Sequence, residues 1–381
     1  MNSGHTPAQR PLRVLLVLHT LVPGATNVPL DALEYLGNQV RVHSVALDDG
    51  SLRERYQSLG RLQQLRAWEP SLLGRLYAKR SRWWLAASTA WFKPDLLYVN
   101  SVTALRKASR LPIAKIPVLL HVHELASFLE PLLQHERTLL CSWPTRYIAV
   151  SEAVRRELID RVGIAEHRIA LVHEFIRDEL VHASESLQTS GHLRRRFVVG
   201  GSGYPSWRKG LLLWLQMAGS LRDLLRPDSV EFRWVGDVDN EETRAARFHV
   251  RRLALDDVVK FLPYTPNPIQ HYKDFDLFAM TSWEDPCPLV VLENMALSTP
   301  VLCFEGGGGA PEEVGDTTLI IPNFDPILMA KTAAQLLNDP QGRAELGRAA
   351  RNRILTRFVA SVQAPKLLRE MYTASEFAEP R

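Results

Sequence analysis

The chain alternates between short runs of consecutive apolar residues and longer stretches where apolar positions recur every three or four places. Residues 13–19, RVLLVLH, form one such run, followed by a loop with Pro23 and Gly24, a helical pattern near Leu30 to Leu36, and a second run, RVHSVAL. Uninterrupted apolar runs suit strands buried on both faces of a parallel sheet, and their order with the helix is that of a βαβ unit. The rhythm returns in DLLYVNS (95–101), PVLLHVHE (117–124), YIAVS (147–151) with its helix EAVRRELID, and RIALVHEF (168–175). The next stretch, DELVHASESLQTSGHL, has no core period and reads as a linker. The pattern then restarts with RFVVGGSG (196–203), a helix from about Leu211, EFRWVGDVD (231–239), VVKFLPY (258–264), DLFAMTS (276–282), PVLCF (300–304) and TLIIP (318–322). The expected fold class is α/β, with two doubly wound, Rossmann-like domains in series. Ligands of such sheets bind beyond the carboxyl ends of the strands, so both halves can present strand-end loops to a cleft.

Bulk properties narrow this picture. A chain of 381 residues exceeds what one core usually supports, so two domains are expected on length as well. With 46% hydrophobic and 23% charged residues it has an ordinary globular composition. A formal net charge of only +4 argues against a dedicated nucleic-acid binder. The three cysteines, Cys141, Cys287 and Cys303, have no metal-ligand spacing and fit a reducing compartment. The polar start MNSGHTPAQRP lacks the apolar stretch of a signal peptide, and no run approaches the ~20 residues of a membrane span. A cytoplasmic location is the expectation.

The stretch EDPCPLVVLENM (284–295) carries candidate chemistry, because Glu284, Asp285 and Glu293 surround residues that otherwise read as core. A helix opening at Pro288 would leave the amides of Leu289 and Val290 free at its start, where an anion is favoured. Glu293 lies about one turn in and can reach what sits above that turn. An anion seat beside carboxylates that accept from hydroxyls suits a phosphorylated sugar or a nucleotide. The plainer reading is a helix capped by Asp285 with Glu293 in solvent. Placement directly after the strand DLFAMTS favours the binding reading.

With these motifs in place the sequence resembles the GT-B glycosyltransferases, and its second half resembles the retaining family 4 enzymes (glycosyl transferases group 1). The residues that carry the resemblance are TSWEDPCPLVVLENMALSTPVL, GGGGAPEEVGD, GSGYPSWRKG and, in the first half, YIAVSEAVRREL. It implies an acceptor-side domain over 1–177, joined by roughly 361–381 crossing back, a linker over 178–190, and a nucleotide-sugar domain over 191–360. The family's paired acids map to Asp285 and Glu293, with Glu284 one place too early. Glu293 would accept both ribose hydroxyls, and Asp285 would lie near hydroxyls of the donor sugar. Amides around Cys287 and Leu289 would hold sugar and diphosphate oxygens, although Pro288 stands where many relatives have glycine. Lys209 matches the family lysine, whereas the arginine usually found six residues earlier is Gly203 here, and Arg208 would stand in for it. By resemblance His123 lies near the donor sugar. His121 faces the same side of the same strand, so alternation alone does not separate the two. Gly24 would let backbone approach the diphosphate or the acceptor.

The implied activity is transfer of a sugar, with retention, from a UDP-, GDP- or dTDP-sugar to a hydroxyl of a glycan or lipid-linked acceptor in polysaccharide or glycoconjugate synthesis. Lys209 and Arg208 would stabilise the departing diphosphate. No metal and no cofactor beyond the donor are expected, although Asp237 with Asp239 and Asp274 with Asp276 superficially resemble metal-binding acid pairs. Competing readings are a glycoside hydrolase, suggested by paired carboxylates, a GT-B-like partner subunit without turnover, suggested by Gly203 and Pro288, and a nucleotide-sugar epimerase. Residues 53–93 hold nine Arg or Lys against Glu54 and Glu69, interleaved with Trp68, Trp83, Trp84 and Trp91. That stretch suits peripheral contact with anionic lipid at the inner membrane face or with an acceptor. Equally, it reads as an amphipathic helical insertion whose tryptophans are core.

Overall fold

The computed structural model describes residues 10–65, 72–113, 115–187, 196–226, 228–317 and 319–377. The start of the chain, Trp68, Glu69 and residues 188–190 of the expected linker lie outside them. Tertiary contacts divide the chain into one unit of Met1–Val150, Arg155–Val172 and Gln363–Arg381, and another of Ser151–Val154 and His173–Val362.

The first unit is built on a parallel sheet of seven strands, β1 (Leu12–Leu18), β2 (Val40–Ala46), β3 (Gly60–Gln64), β4 (Leu96–Asn100), β5 (Val118–Val122), β6 (Arg146–Ala149) and β7 (Ile169–Leu171), in the order β3-β2-β1-β4-β5-β6-β7. β1 is central: Leu12 pairs with Val40 on one side and Val14 with Leu96 on the other, which is why its sequence is apolar at successive positions. β3 went unread in the sequence because GRLQQ is a half-buried edge strand without an apolar run. The last helix, Ala360–Glu376, contributes to this unit from Gln363 onward, and Arg146 and Glu370 form an ion pair at 2.7 Å within it.

The second unit holds six parallel strands, β8 (Phe197–Ser202), β9 (Val230–Asp237), β10 (Val259–Pro263), β11 (Leu277–Met280), β12 (Val301–Phe304) and β13 (Ile320–Ile321), in the order β10-β9-β8-β11-β12-β13. Trp214 and Trp234 are fully buried in its core, edge to face with centroids 5.6 Å apart. Truncating either to alanine removes about 3–5 kcal/mol. Part of the expected linker is instead a helix, Asp178–Leu187. Val181, on this helix, is fully buried.

In both sheets the strand order reverses direction between two neighbours, β1 and β4 in the first and β8 and β11 in the second. Loops leaving such a pair diverge to opposite faces and open a crevice at the carboxyl edge.

Candidate functional site

In the second unit three loops converge beyond that edge: 203–210 after β8, 281–288 after β11 and 305–309 after β12. Their backbones are joined directly. Trp283 N–H donates to the Arg208 carbonyl at 2.7 Å, Asp285 N–H to Gly307 at 3.0 Å and Gly309 N–H to Asp285 at 2.8 Å. Glycines make the approach possible. At Gly210 (φ 64) a Cβ would stand 1.9 Å from the Thr281 carbonyl oxygen, and at Gly308 (φ 101) one would stand 2.1 Å from that of Asp285.

Lys209 Nζ meets Asp285 Oδ2 at 2.5 Å, and Asp285 is 6% exposed. Asp285 therefore serves the lysine rather than capping the helix, as the plainer reading had it. Arg208 extends along the loop and donates from Nη1 to the Glu284 carbonyl at 3.2 Å. At Gly203 (φ 140) a Cβ would already lie 3.2 Å from the Lys209 stem, so the lysine occupies the space into which a side chain there would grow.

The helix expected to open at Pro288 begins one residue later, spanning Leu289–Ala296. Pro288 is its cap: ψ is 102°, still extended, and its carbonyl already accepts the Val291 N–H at 2.8 Å. The N–H groups of Leu289 and Val290 make no hydrogen bond among the described residues, as the first-turn amides of a helix do not within their own helix. Glu293, one turn on, is half-buried, and its carboxylate accepts no hydrogen bond from any described residue. Burial alone pushes its carboxyl up to about 8. A carboxylate surrounded by protein without a donor is unstable until something supplies one.

Beneath the loops lies a second acidic group that sequence reasoning did not assign, although GGGGAPEEVGD contained it. Cys287 Sγ donates to Glu313 Oε1 at 3.0 Å, and Glu313 Oε2 is buried without a partner among the described residues. Burial first, then the nearby charges of Asp285, Glu174 and Glu312, hold the Glu313 carboxyl well above its usual range. Burial, then Glu313, does the same to the Cys287 thiol. Both shifts favour the neutral form of the group, which lessens the repulsion of an anion above the glycine loop. Glu312 accepts from His173 Nε2 at 2.5 Å and from the Glu152 N–H at 2.7 Å.

In the first unit the corresponding edge separates the two histidines. His121 is fully buried, its Nδ1 2.6 Å from the Tyr98 hydroxyl, while His123, at 7% exposure, reaches the edge with Nε2 3.0 Å from Asn100 Oδ1. Their rings lie 4.2 Å apart, on the same side as alternation required. Gly24 adopts φ 135 in the loop after β1, with nothing within 4 Å of where a Cβ would be. His19, Asn100, Ser101 and Glu124 join this edge, and no sequence motif marked them.

The acid pairs considered for metal are engaged locally: Asp237 with Arg247, Asp239 with Arg244, Asp274 with Arg233, and Asp276 with the Val198 N–H. The expectation of core tryptophans over 53–93 is corrected. Trp83, Trp84 and Trp91, on the helix Leu72–Phe92, are 63%, 47% and 80% exposed. No helix among the described residues is long and apolar enough to cross a membrane.

Comparison with known proteins bears on both units. The model of Glycosyltransferase Family 4 matches residues 22–180, and that of Glycosyl transferases group 1 matches residues 194–339. A D-inositol 3-phosphate glycosyltransferase of Kineococcus radiotolerans is 36% identical over 239 residues, 54% of this chain and 52% of its own. One from Corynebacterium efficiens is 35% identical over 102 residues, 26% of this chain and 24% of its own. The chain thus spans between about a quarter and about a half of the length of these curated relatives. Among solved structures, Anabaena Alr3699/HepE in complex with UDP and glucose superposes with a TM-score of 0.78 at 19% identity, over 95% of this chain and all of the other. WaaG, a glycosyltransferase involved in lipopolysaccharide biosynthesis, gives 0.71 at 14% identity over 94% and 99%. At these identities the likeness is one of fold.

Proposed function

Because the chain belongs to the family 4, group 1 glycosyltransferases and has their GT-B fold, we propose that it transfers a sugar with retention from a nucleotide-diphosphate donor to a hydroxyl of a glycan or lipid-linked acceptor. The observation that carries this reading is Glu293: a half-buried, undonated carboxylate one turn on from two free helix-start amides, on the helix that follows the loop holding the Lys209–Asp285 pair. A ribose diol supplies the two donors that the carboxylate lacks, and a diphosphate supplies the charge that the Leu289 and Val290 amides attract. Solved neighbours bound to UDP and to UDP-glucose favour a uridine donor over GDP or dTDP.

In this reading the bond between the anomeric carbon and the diphosphate oxygen breaks while the acceptor oxygen adds from the same face. The acceptor proton passes to the departing phosphate oxygen. Lys209 and the helix-start amides stabilise the charge that grows there, which is where an enzyme gains most from fixed dipoles. Asp285 holds Lys209 in place and turns toward sugar hydroxyls, Cys287 and Leu289 contribute backbone amides, and His123 serves as the acceptor-side imidazole. No carboxylate acts as nucleophile, which distinguishes this from glycoside hydrolysis. The exposed Trp83, Trp84 and Trp91 favour an acceptor presented at a lipid surface and a peripheral placement.

Calorimetry with UDP, GDP and dTDP, followed by turnover of the sugar nucleotide whose base binds, tests the reading. Affinity for UDP lost in Glu293→Ala is the expected result. A protein that binds none of the three overturns it.

A further inference from the structure

A cavity of about 570 Å³ opens at the amino edge of the first sheet, lined by the starts of β2 and β3 and by the end of the helix Leu72–Phe92. The proposed transfer uses nothing there. β1 runs 7 residues between this edge and the loop of Gly24, about 23 Å of strand.

Cations gather on one side of the cavity. Arg41 and His43 lie two places apart on β2, and His43 pairs in register with Arg61 of β3, so the three side chains leave the same face of the sheet. Strand spacing and rise then set the Cα atoms of Arg41 and Arg61 about 8 Å apart. Both arginines are exposed, and neither makes a hydrogen bond or an ion pair with any described residue. Two guanidinium groups held this close without an acid repel each other, and an anion bridging them removes that cost. His43 is 1% exposed, edge-on to Phe92 at 5.7 Å, with Nε2 unpartnered among the described residues.

Acceptors complete the lining. Glu34, on the helix Asn27–Leu36, is held by Arg55 through both oxygens, at 3.0 and 2.5 Å. Ser58 Oγ donates to the Arg55 carbonyl at 2.7 Å and Ser88 Oγ to that of Leu85 at 3.1 Å, which leaves both hydroxyl oxygens able to accept. Trp91, 80% exposed, also lines the cavity, and its indole offers a flat apolar surface to the C–H face of a ring. The arginine pair calls for a phosphate, the acceptors for hydroxyls and the indole for a ring.

We propose that this cavity binds a phosphorylated sugar, with its phosphate between Arg41 and Arg61, its ring against Trp91 and its hydroxyls donating to Glu34 and the serines. The site is separate from the transfer edge and does not rest on the transfer reading.

Calorimetric titration of the full chain with glucose 6-phosphate and mannose 6-phosphate, and with inorganic phosphate and glucose as references, reads the binding directly. At least one hexose phosphate should bind about tenfold or more tighter than either reference. Arg41→Ala/Arg61→Ala should lose about tenfold or more of that affinity, and its melting temperature should not fall, because neither arginine forfeits a partner. Trp91→Ala should weaken binding by about fivefold through lost apolar contact. Glu293→Ala should bind the hexose phosphate as the unmodified chain does. A chain that binds neither hexose phosphate overturns the proposal, as does affinity that survives removal of both arginines. Inorganic phosphate held as tightly as the sugar phosphates overturns it too, since the indole and the acceptors then contribute nothing. Binding lost in Glu293→Ala would belong to the nucleotide site and not to this cavity. Hexose phosphate bound by a chain that binds no nucleotide leaves this site standing and removes the transfer reading instead.

Discussion

Replacing Glu293 by glutamine should stabilise the ligand-free protein and weaken its hold on a nucleotide. The carboxyl is raised from an ordinary 4.5 to about 8 by burial. For an acid the sign is fixed: protonation favours the fold, so the stability this group allows is complete below about pH 4.5 and is lost as pH rises toward 8. At pH 7 the unfolded chain ionises the group freely, whereas the folded chain keeps it mostly protonated. A tenfold mismatch in protonation is worth about 1.4 kcal/mol, and the reference carboxyl is then about 2.5 pH units past its midpoint, giving about 3 kcal/mol. That is an upper figure, because part of the side chain touches solvent. Glutamine keeps the shape and cannot ionise, so Tm at pH 7 should rise by up to about 6–12 °C. The advantage over the unmodified protein should shrink toward pH 5. Nucleotide affinity should fall by about 1–3 kcal/mol, because a charged acceptor for the ribose hydroxyls is gone. In the unmodified protein, binding should release a proton, visible as a calorimetric enthalpy that depends on the buffer. Scanning calorimetry from pH 5 to 8.5 and titration with UDP read both arms. A variant that melts lower than the unmodified protein at pH 7, or parallel pH profiles for the two, refutes the argument.

Other residues of the same site give separable outcomes. Lys209→Ala leaves Asp285 buried without its cation and should lose about 2 kcal/mol of stability, below the 3–5 of a fully buried pair. The double variant Lys209→Ala/Asp285→Asn should recover stability in urea titrations without recovering kcat; equal recovery of both would make the pair merely structural. Gly308→Ala puts a Cβ 2.1 Å from the Asp285 carbonyl oxygen and should cost about 1–3 kcal/mol together with nucleotide affinity. Calorimetry finding UDP binding untouched in that variant would refute the joined-loop geometry. Glu313→Gln should raise the melting temperature at neutral pH, with the gain vanishing toward acid pH, because it removes the loss of stability that a raised carboxyl causes as pH increases. Glu313→Ala should lose about 2 kcal/mol by opening a cavity under Cys287, and thermal melts in which the two substitutions behave alike would show that no proton is held there.

Both sheets could be read from the chain before any coordinates, because a strand buried on two faces must be apolar at consecutive positions whatever packs against it. The helix after β11 and the acids around it were equally legible, since a proline, free amides and Glu293 are set by local spacing. Elements without an apolar run escaped: β3 is a polar edge, and the helix Asp178–Leu187 comes from DELVHASESL, which has no core period. The state of the site was beyond sequence for a different reason. Asn100 contacts Ala25 and His123, 75 and 23 residues away, and Glu313 meets Cys287 across 26. Glu293 is raised by the volume of protein folded around it, not by its neighbours in the chain. Periodicity records which way each residue faces. Parallel crossovers decide which strand ends meet, and only there do partners, tautomers and protonation become defined.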